Sequence, residues 1–242
     1  MKTLFLFTLF LTLPALVCAE TISLDDLVER NDLYYKKFSD VPFTGKTSDQ
    51  FHETDLDQFQ WTFKDGIKRS FVSYFDNGQL KAKRNYKDGK EHGPYEVYYE
   101  NGQLEKKGNY KDGKLHGLVE VYFDNGQLEV KGNYKDGKLH GLYERYYENG
   151  QLEVKGNFKD GKEHGLFESH YKNLIGQLEY KANYKDGKQH GPYELYYENG
   201  QLESKGTYKD GKEHGLAEYY HENGKLISKT CFSESGEEIS CR

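Results

Sequence analysis

Between Asp65 and Phe232 the chain alternates short Tyr-rich and Val-containing runs with glycine-marked breaks, and no run shows a helical spacing of apolar residues. Asp-Gly and Asn-Gly alternate at the breaks every 11 to 13 residues. Both dipeptides accept the positive φ of a type I′ turn, so each break reads as a hairpin turn. The pattern predicts an all-β fold: one elongated, twisted antiparallel meander with two strands per repeat. About 15 strands spaced ~4.8 Å apart would make it roughly 70 Å long.

The periodicity sets the domain boundaries. The string K-D-G-K-x-H-G recurs with its histidine at His92, His116, His140, His164, His190 and His214, at spacings of 24, 24, 24, 26 and 24 residues. The 26-residue copy carries Asn173-Leu174-Ile175-Gly176 in place of Asn-Gly, which accounts for its two extra residues. An earlier, degenerate copy starts at Asp65-Gly66 and is one residue short. Seven hairpin repeats then fill residues 65–232. Residues 20–64 read as an N-terminal capping segment, a short helical or hairpin stretch around Asn31-Asp32 followed by a strand, and residues 233–242 as a C-terminal capping hairpin.

Residues opposed across strands share a face, so a register can be derived. A two-residue turn at Asn101-Gly102 opposes Tyr95 to Gly108, Glu96 to Lys107 and Tyr99 to Leu104. Equivalent positions oppose Tyr143 to Gly156, Phe167 to Ala182, Tyr193 to Gly206 and Ala217 to Thr230. A ring over a bare glycine explains this complementarity of sizes: where the ring is lost, the glycine is lost too. Glu–Lys pairs recur on the other face, as in Glu144–Lys155 and Glu218–Lys229, and each contributes at most about 0.2–1 kcal/mol.

On the Tyr/Gly face the central opposed pair changes in every copy. It runs Val97–Lys106, Val121–Val130, Arg145–Val154, Ser169–Tyr180, Leu195–Ser204 and Tyr219–Ser228. Repeat scaffolds hold a frame constant and vary a surface stripe to fit a partner, so this stripe is the candidate partner-binding surface. Drift on an unused surface would give the same variation. The two long edges also differ: the Asp-Gly edge carries two lysines per aspartate, while the Asn-Gly edge is acidic at Asp76, Glu100, Asp124, Glu148, Glu198 and Glu222.

The pattern Y-x-x-N-G-Q-L…K-G-N-Y-K-D-G-K-x-H-G resembles the bacterial MORN-variant repeat family, and L-V-E-R-N-D-L-Y-Y-K-K-F…P-F-T-G-K is similar to the start of such proteins. The resemblance spans about Leu27 to Phe232. It implies a long twisted sheet of hairpins and a scaffold that binds proteins or associates with membranes. Similar proteins carry the label of YwqK-type antitoxins, which implies neutralisation of a toxin as a further reading.

Composition narrows the classes. Apolar residues make up 35% and charged residues 31%, poor in aliphatics for a compact core, yet 15% aromatics is too rich for a disordered chain. The net charge of -6 gives no global attraction for nucleic acid or anionic lipid. At the start, Lys2 precedes an uncharged run from Thr3 to Val17, and Val17-Cys18-Ala19 places small residues before a cut between Ala19 and Glu20. Residues 1–19 therefore read as a secretory signal peptide rather than a stable membrane span, and the product as periplasmic or secreted. Val17, where a lipobox takes a smaller residue, argues against lipidation of Cys18. Peripheral association with a membrane stays open. After cleavage Cys231 and Cys241 remain, and an even count in an exported protein favours a disulfide. A three-residue loop at Gly236 would pair them; a two-residue turn would put them on opposite faces.

Chemistry is sparse. The periodic histidines oppose Asn85, Asn109 and Asn133, and equivalent histidines stand about 9.5 Å apart, too far to share a zinc ion ligated at ~2 Å. The expectation is a His–Asn ladder with no metal. No nucleophile elbow, Walker loop or dinucleotide fingerprint occurs, and the 45 residues from Glu20 to Lys64 are few for a catalytic domain. The reading is a non-enzymatic, cofactor-free scaffold that binds a protein partner. The alternative is a glycan or cell-wall module using Tyr rings and the lysine edge.

Overall fold

The computed structural model describes residues 20–50, 58–173 and 176–241. The expected leader, with Cys18 and Ala19, lies outside the described residues. From Gln58 to Phe232 the chain crosses one antiparallel sheet fifteen times, each strand paired to the next in chain order. Strands that follow an Asp-Gly turn are in several copies interrupted at His-Gly, as in Lys114–Leu115 and Gly117–Tyr122. No helix of the described residues is long and apolar enough to cross a membrane.

The two turn types solve the reversal differently. At Asp112-Gly113 both residues have positive φ, 52° and 80°, and Lys111 faces Lys114, a two-residue turn of the expected kind. The Asn-Gly turns are not of that kind. Gly102 is left-handed at φ 84°, Gly102 N–H donates to Tyr99 C=O at 2.9 Å, and Tyr99 N–H donates to Gln103 C=O at 2.8 Å. The loop is therefore three residues long, Glu100-Asn101-Gly102. Tyr98, not Tyr99, faces Leu104, which corrects the two-residue reading. One residue later on the same strand Glu105 bulges, and Val97 faces Lys106. The extra loop residue and the bulge cancel, so the pairs deeper in the hairpin keep the register derived from sequence.

A second irregularity sits at His-Gly. Tyr134 faces Leu139, but Gly132 faces Tyr143, so the later strand gains two residues there. In the degenerate first copy, Phe63 faces Lys68 and Thr62 faces Ser70, a gain of one. Its missing residue falls in the bulge. The 26-residue copy absorbs its extra residues in the loop, since Tyr171 N–H still donates to Gln177 C=O and Ser169 still faces Tyr180.

A single sheet has no second layer to bury against, so the core is a row of rings and small residues on one face. Tyr95, Val119, Ala182, Tyr193 and Ala217 are buried along it. Ring pairs such as Tyr95–Tyr110 at 4.9 Å and Tyr193–Tyr208 at 5.0 Å extend it towards the Asp-Gly edge. At the N-terminal end a short 3-10 turn, Leu24–Asp26, and the hairpin Leu27–Arg30 with Leu33–Lys36 fold over the first repeat. Phe43 and Phe63 are buried there, and strand Gly45–Thr47 pairs with Gln58–Lys64. At the other end Glu238–Ile239 pairs with Leu226–Phe232.

Candidate binding face

The changing residues form one uninterrupted line. Within hairpins Val97 faces Lys106, Val121 faces Val130, Arg145 faces Val154, Ser169 faces Tyr180, Leu195 faces Ser204 and Tyr219 faces Ser228. Between hairpins Lys106 faces Val121, Val130 faces Arg145, Val154 faces Ser169, Tyr180 faces Leu195 and Ser204 faces Tyr219. Each position thus touches the next across twelve strands. Exposure along the line is uneven. Arg145 and Ser228 are exposed, Ser204 is buried, and the others are half-buried. Tyr180 does not project freely: the Gln189 amide donates to its hydroxyl, and burial pushes its phenol well above the usual tyrosine range.

The bulge after each Asn-Gly turn adds an acidic row beside this line. Glu153 Oε1 accepts from Arg145 Nη2 at 2.6 Å, and Glu179 Oε2 accepts from Ser169 Oγ at 3.1 Å. Glu105, Glu129 and Glu203 occupy the equivalent bulges. Next to them Tyr99, Tyr147, Tyr171 and Tyr197 donate their hydroxyls to backbone carbonyls of the following repeat at 2.8–2.9 Å. Burial raises these four phenols, and the glutamates on either side add to the shift. A strict alternation of sides would put the bulged glutamates on the opposite face. Their signal was the recurrent Leu-Glu after Asn-Gly-Gln.

The MORN repeat variant family matches residues 70–88, 91–112, 115–136, 139–160, 189–210 and 213–234, more than half of the chain. The chain belongs to this family. MORN repeats commonly serve as non-catalytic binding scaffolds. Against curated proteins the chain finds no match. The repeat spanning Glu163 to Asp186, with the longer loop, falls between two matched stretches.

The opposite face of the MORN sheet carries ion pairs that close mainly between repeats. Lys107 reaches Glu120 at 2.8 Å, Lys181 reaches Glu194 at 2.6 Å and Lys205 reaches Glu218 at 2.9 Å. Within hairpins, Lys229 reaches Glu218 at 2.7 Å and Lys155 reaches Glu144 at 3.7 Å. Each glutamate thus stands between two lysines. The same face presents an apolar residue after every His-Gly: Pro94, Leu118, Leu142, Leu166, Pro192 and Leu216. Glycine at positive φ, 86° at Gly117 and 95° at Gly165, turns Leu118 and Leu166 into solvent.

The histidines are not partnered as expected. His92 N–H does donate to Asn85 C=O at 2.8 Å, but the Asn85 amide donates to Pro94 C=O and the His92 ring turns to the next repeat. Its Nδ1 lies 3.3 Å from Asp112, and His140 and His190 stand 3.2 Å from Asp160 and Asp210. The ladder is therefore His–Asp between repeats, because the two-residue turn of each following hairpin stacks against the ring. Among the described residues no three metal-ligating side chains cluster. Cys231 and Cys241 are joined, with Cα atoms 5.2 Å apart. The loop Glu234-Ser235-Gly236 is the three-residue alternative, since Ser233 N–H donates to Glu237 C=O. Glu20, expected to start the processed chain, accepts from Lys46 N–H through its C=O at 2.7 Å.

Proposed function

We propose that this MORN-repeat chain is a non-enzymatic scaffold that binds a protein partner along the line from Val97 to Ser228, in a bacterial cell envelope or outside the cell. The observation that carries this reading is the continuity of the line. Aperiodic residues touch each other across twelve strands while the rows on either side repeat. A long, narrow, position-specific surface suits another polypeptide, whose side chains also change from place to place. A regular glycan would meet the same groups at every period, and two of the rings beside the line, Tyr95 and Tyr193, are spent on packing at 4% and 7% exposed. Placement in the envelope follows from the signal-like residues 1–19. The test is site-specific photo-crosslinking in the native host. A photoreactive residue at Val121 should give one discrete crosslinked protein, and one at Leu166 on the opposite face should not. Equal crosslinking from both positions would reject the stripe as the contact surface.

A further inference from the structure

The Asp-Gly edge is built against its own electrostatics. Lys87 faces Lys90, and the same opposition recurs at Lys111–Lys114, Lys135–Lys138, Lys159–Lys162, Lys185–Lys188 and Lys209–Lys212. All of these lysines are exposed. Like charges directly opposed across a hairpin are destabilising, and here six successive turns carry them. One aspartate per two lysines leaves each turn net positive, and among the described residues these acids form no ion pair with the lysines beside them. Asp112, Asp136, Asp160, Asp186 and Asp210 stand 3.2–3.8 Å from the ring of the preceding histidine instead. Among the described residues, Lys209 alone of the twelve pairs with a carboxylate, that of Glu234 at 3.4 Å. The second lysine of each pair lays its stem beside the glycine of the next turn, as Lys114 does at Gly137 and Lys138 at Gly161. The ammonium groups therefore follow one line, one pair per two strands, or about 9.5 Å.

We propose that this edge binds a linear phosphate polymer, each lysine pair bracketing one phosphoryl group. The site is separate from the stripe, and it stands or falls independently of the protein-partner reading. An ammonium is a compact charge with three rotatable donors, suited to phosphoryl oxygens that approach without a fixed planar geometry. The edge turns hold only Lys, Asp and Gly, and the ring beside each, a histidine, is turned onto the aspartate of the next turn, so the edge favours bare phosphate over stacked nucleobases. The far edge, with Glu100, Asp124 and Glu148, repels the same ligand, which confines it to one side of the sheet.

The experiment titrates the full chain with long-chain inorganic polyphosphate at low and moderate salt, with heparin and single-stranded DNA in parallel arms. The expected result is salt-sensitive binding to polyphosphate that exceeds both other polymers. Replacing Lys111, Lys114, Lys135, Lys138, Lys159 and Lys162 together with Gln should weaken it roughly tenfold or more and flatten its salt dependence. The same variant should melt at the parent temperature or above, because like-charge opposition is relieved. Should it not fold, Lys135→Gln with Lys138→Gln carries the test through a smaller loss. Glu100→Gln with Asp124→Asn and Glu148→Gln should retain parent affinity or better. No binding of polyphosphate at low salt, unchanged binding by the lysine variants, or tighter binding of heparin or DNA would each overturn the proposal.

Discussion

Gly156 lies under the ring of Phe167: a Cβ at Gly156 would stand 2.5 Å from Phe167 Cδ2 and 3.1 Å from Cε2. Gly156 faces Tyr143 on one side and Phe167 on the other, and it is the later strand's ring that covers it. Gly206 is covered instead by its own hairpin's Tyr193, at 2.7 Å from Cε1. The glycine serves space here, since its backbone is not left-handed. Gly156→Val should therefore cost about 1–3 kcal/mol by overpacking. Denaturant unfolding measures it, and Phe167→Ala in the same chain should recover part of the loss as a coupling between neighbours. A variant as stable as the parent would remove the ring-over-glycine packing from the account.

What could be read in advance depended on whether errors cancelled. The register of Tyr143 with Gly156 and of Arg145 with Val154 came from a turn of the wrong length, and it survived because Glu153 bulges by one residue. Pairs beside the turn had no such protection, so Tyr146, not Tyr147, faces Leu152. A bulge leaves no mark in an alternating pattern, because it breaks the alternation it would be judged by. The same break hid the acidic row on the binding face. The His–Asp ladder was missed for a different reason: it joins residues 20 positions apart through the stacking of turns, not through strand register. Tyr180 was legible as a member of the stripe but not as a side chain already held by Gln189.

Acid should expose the charged face. Two lysines and the Tyr220 hydroxyl hold the Glu218 carboxyl down from 4.5 to about 2, and Glu96 and Glu194 are lowered by similar partners. A carboxylate depressed in the folded state contributes stability that is complete above its unfolded value. That contribution is lost as pH falls through the folded value. The window for Glu218 therefore runs from 4.5 down to about 2. Circular dichroism with denaturant at several pH values should show stability falling across it. Glu218→Gln should be less stable at neutral pH and flatter below 4.5. An NMR titration placing Glu218 near 4.5 would reject the assignment.

Reduction of Cys231–Cys241 should loosen the C-terminal end and nothing else. The bond closes a loop of 10 residues and ties the last hairpin to strand Leu226–Phe232. Loop-closure entropy at that length is worth about 2–3 kcal/mol in the unfolded reference. In an array each repeat contacts only its neighbours, so the loss should stay local. Hydrogen exchange on Cys241→Ser should speed at Ile239 and Phe232 while Tyr143 and Gly156 keep parent protection. Uniform acceleration along the sheet would show that the array unfolds as one unit.

The stripe is best tested at Arg145 and Val121. Tyr180 is the other conspicuous side chain on it, but its half-buried hydroxyl bond makes loss of binding and loss of packing inseparable there. Arg145 is exposed and bonded only at its tip to Glu153, and Val121 is half-buried between Lys106 and Val130. Arg145→Ser with Val121→Thr, which keeps the branched shape at the half-buried strand position, should change stability little and weaken the crosslinked partner's binding strongly. An arginine anchor at an interface centre is worth about 2 kcal/mol or more, some thirtyfold in affinity. Glu144→Gln with Lys155→Gln, a 3.7 Å pair on the opposite face, serves as the control and should bind as the parent does. The lysine-edge substitutions should also leave partner binding unchanged. If they abolish it while the stripe variant binds normally, the partner is held by the basic edge, and the line from Val97 to Ser228 is drift on a surface the protein does not use.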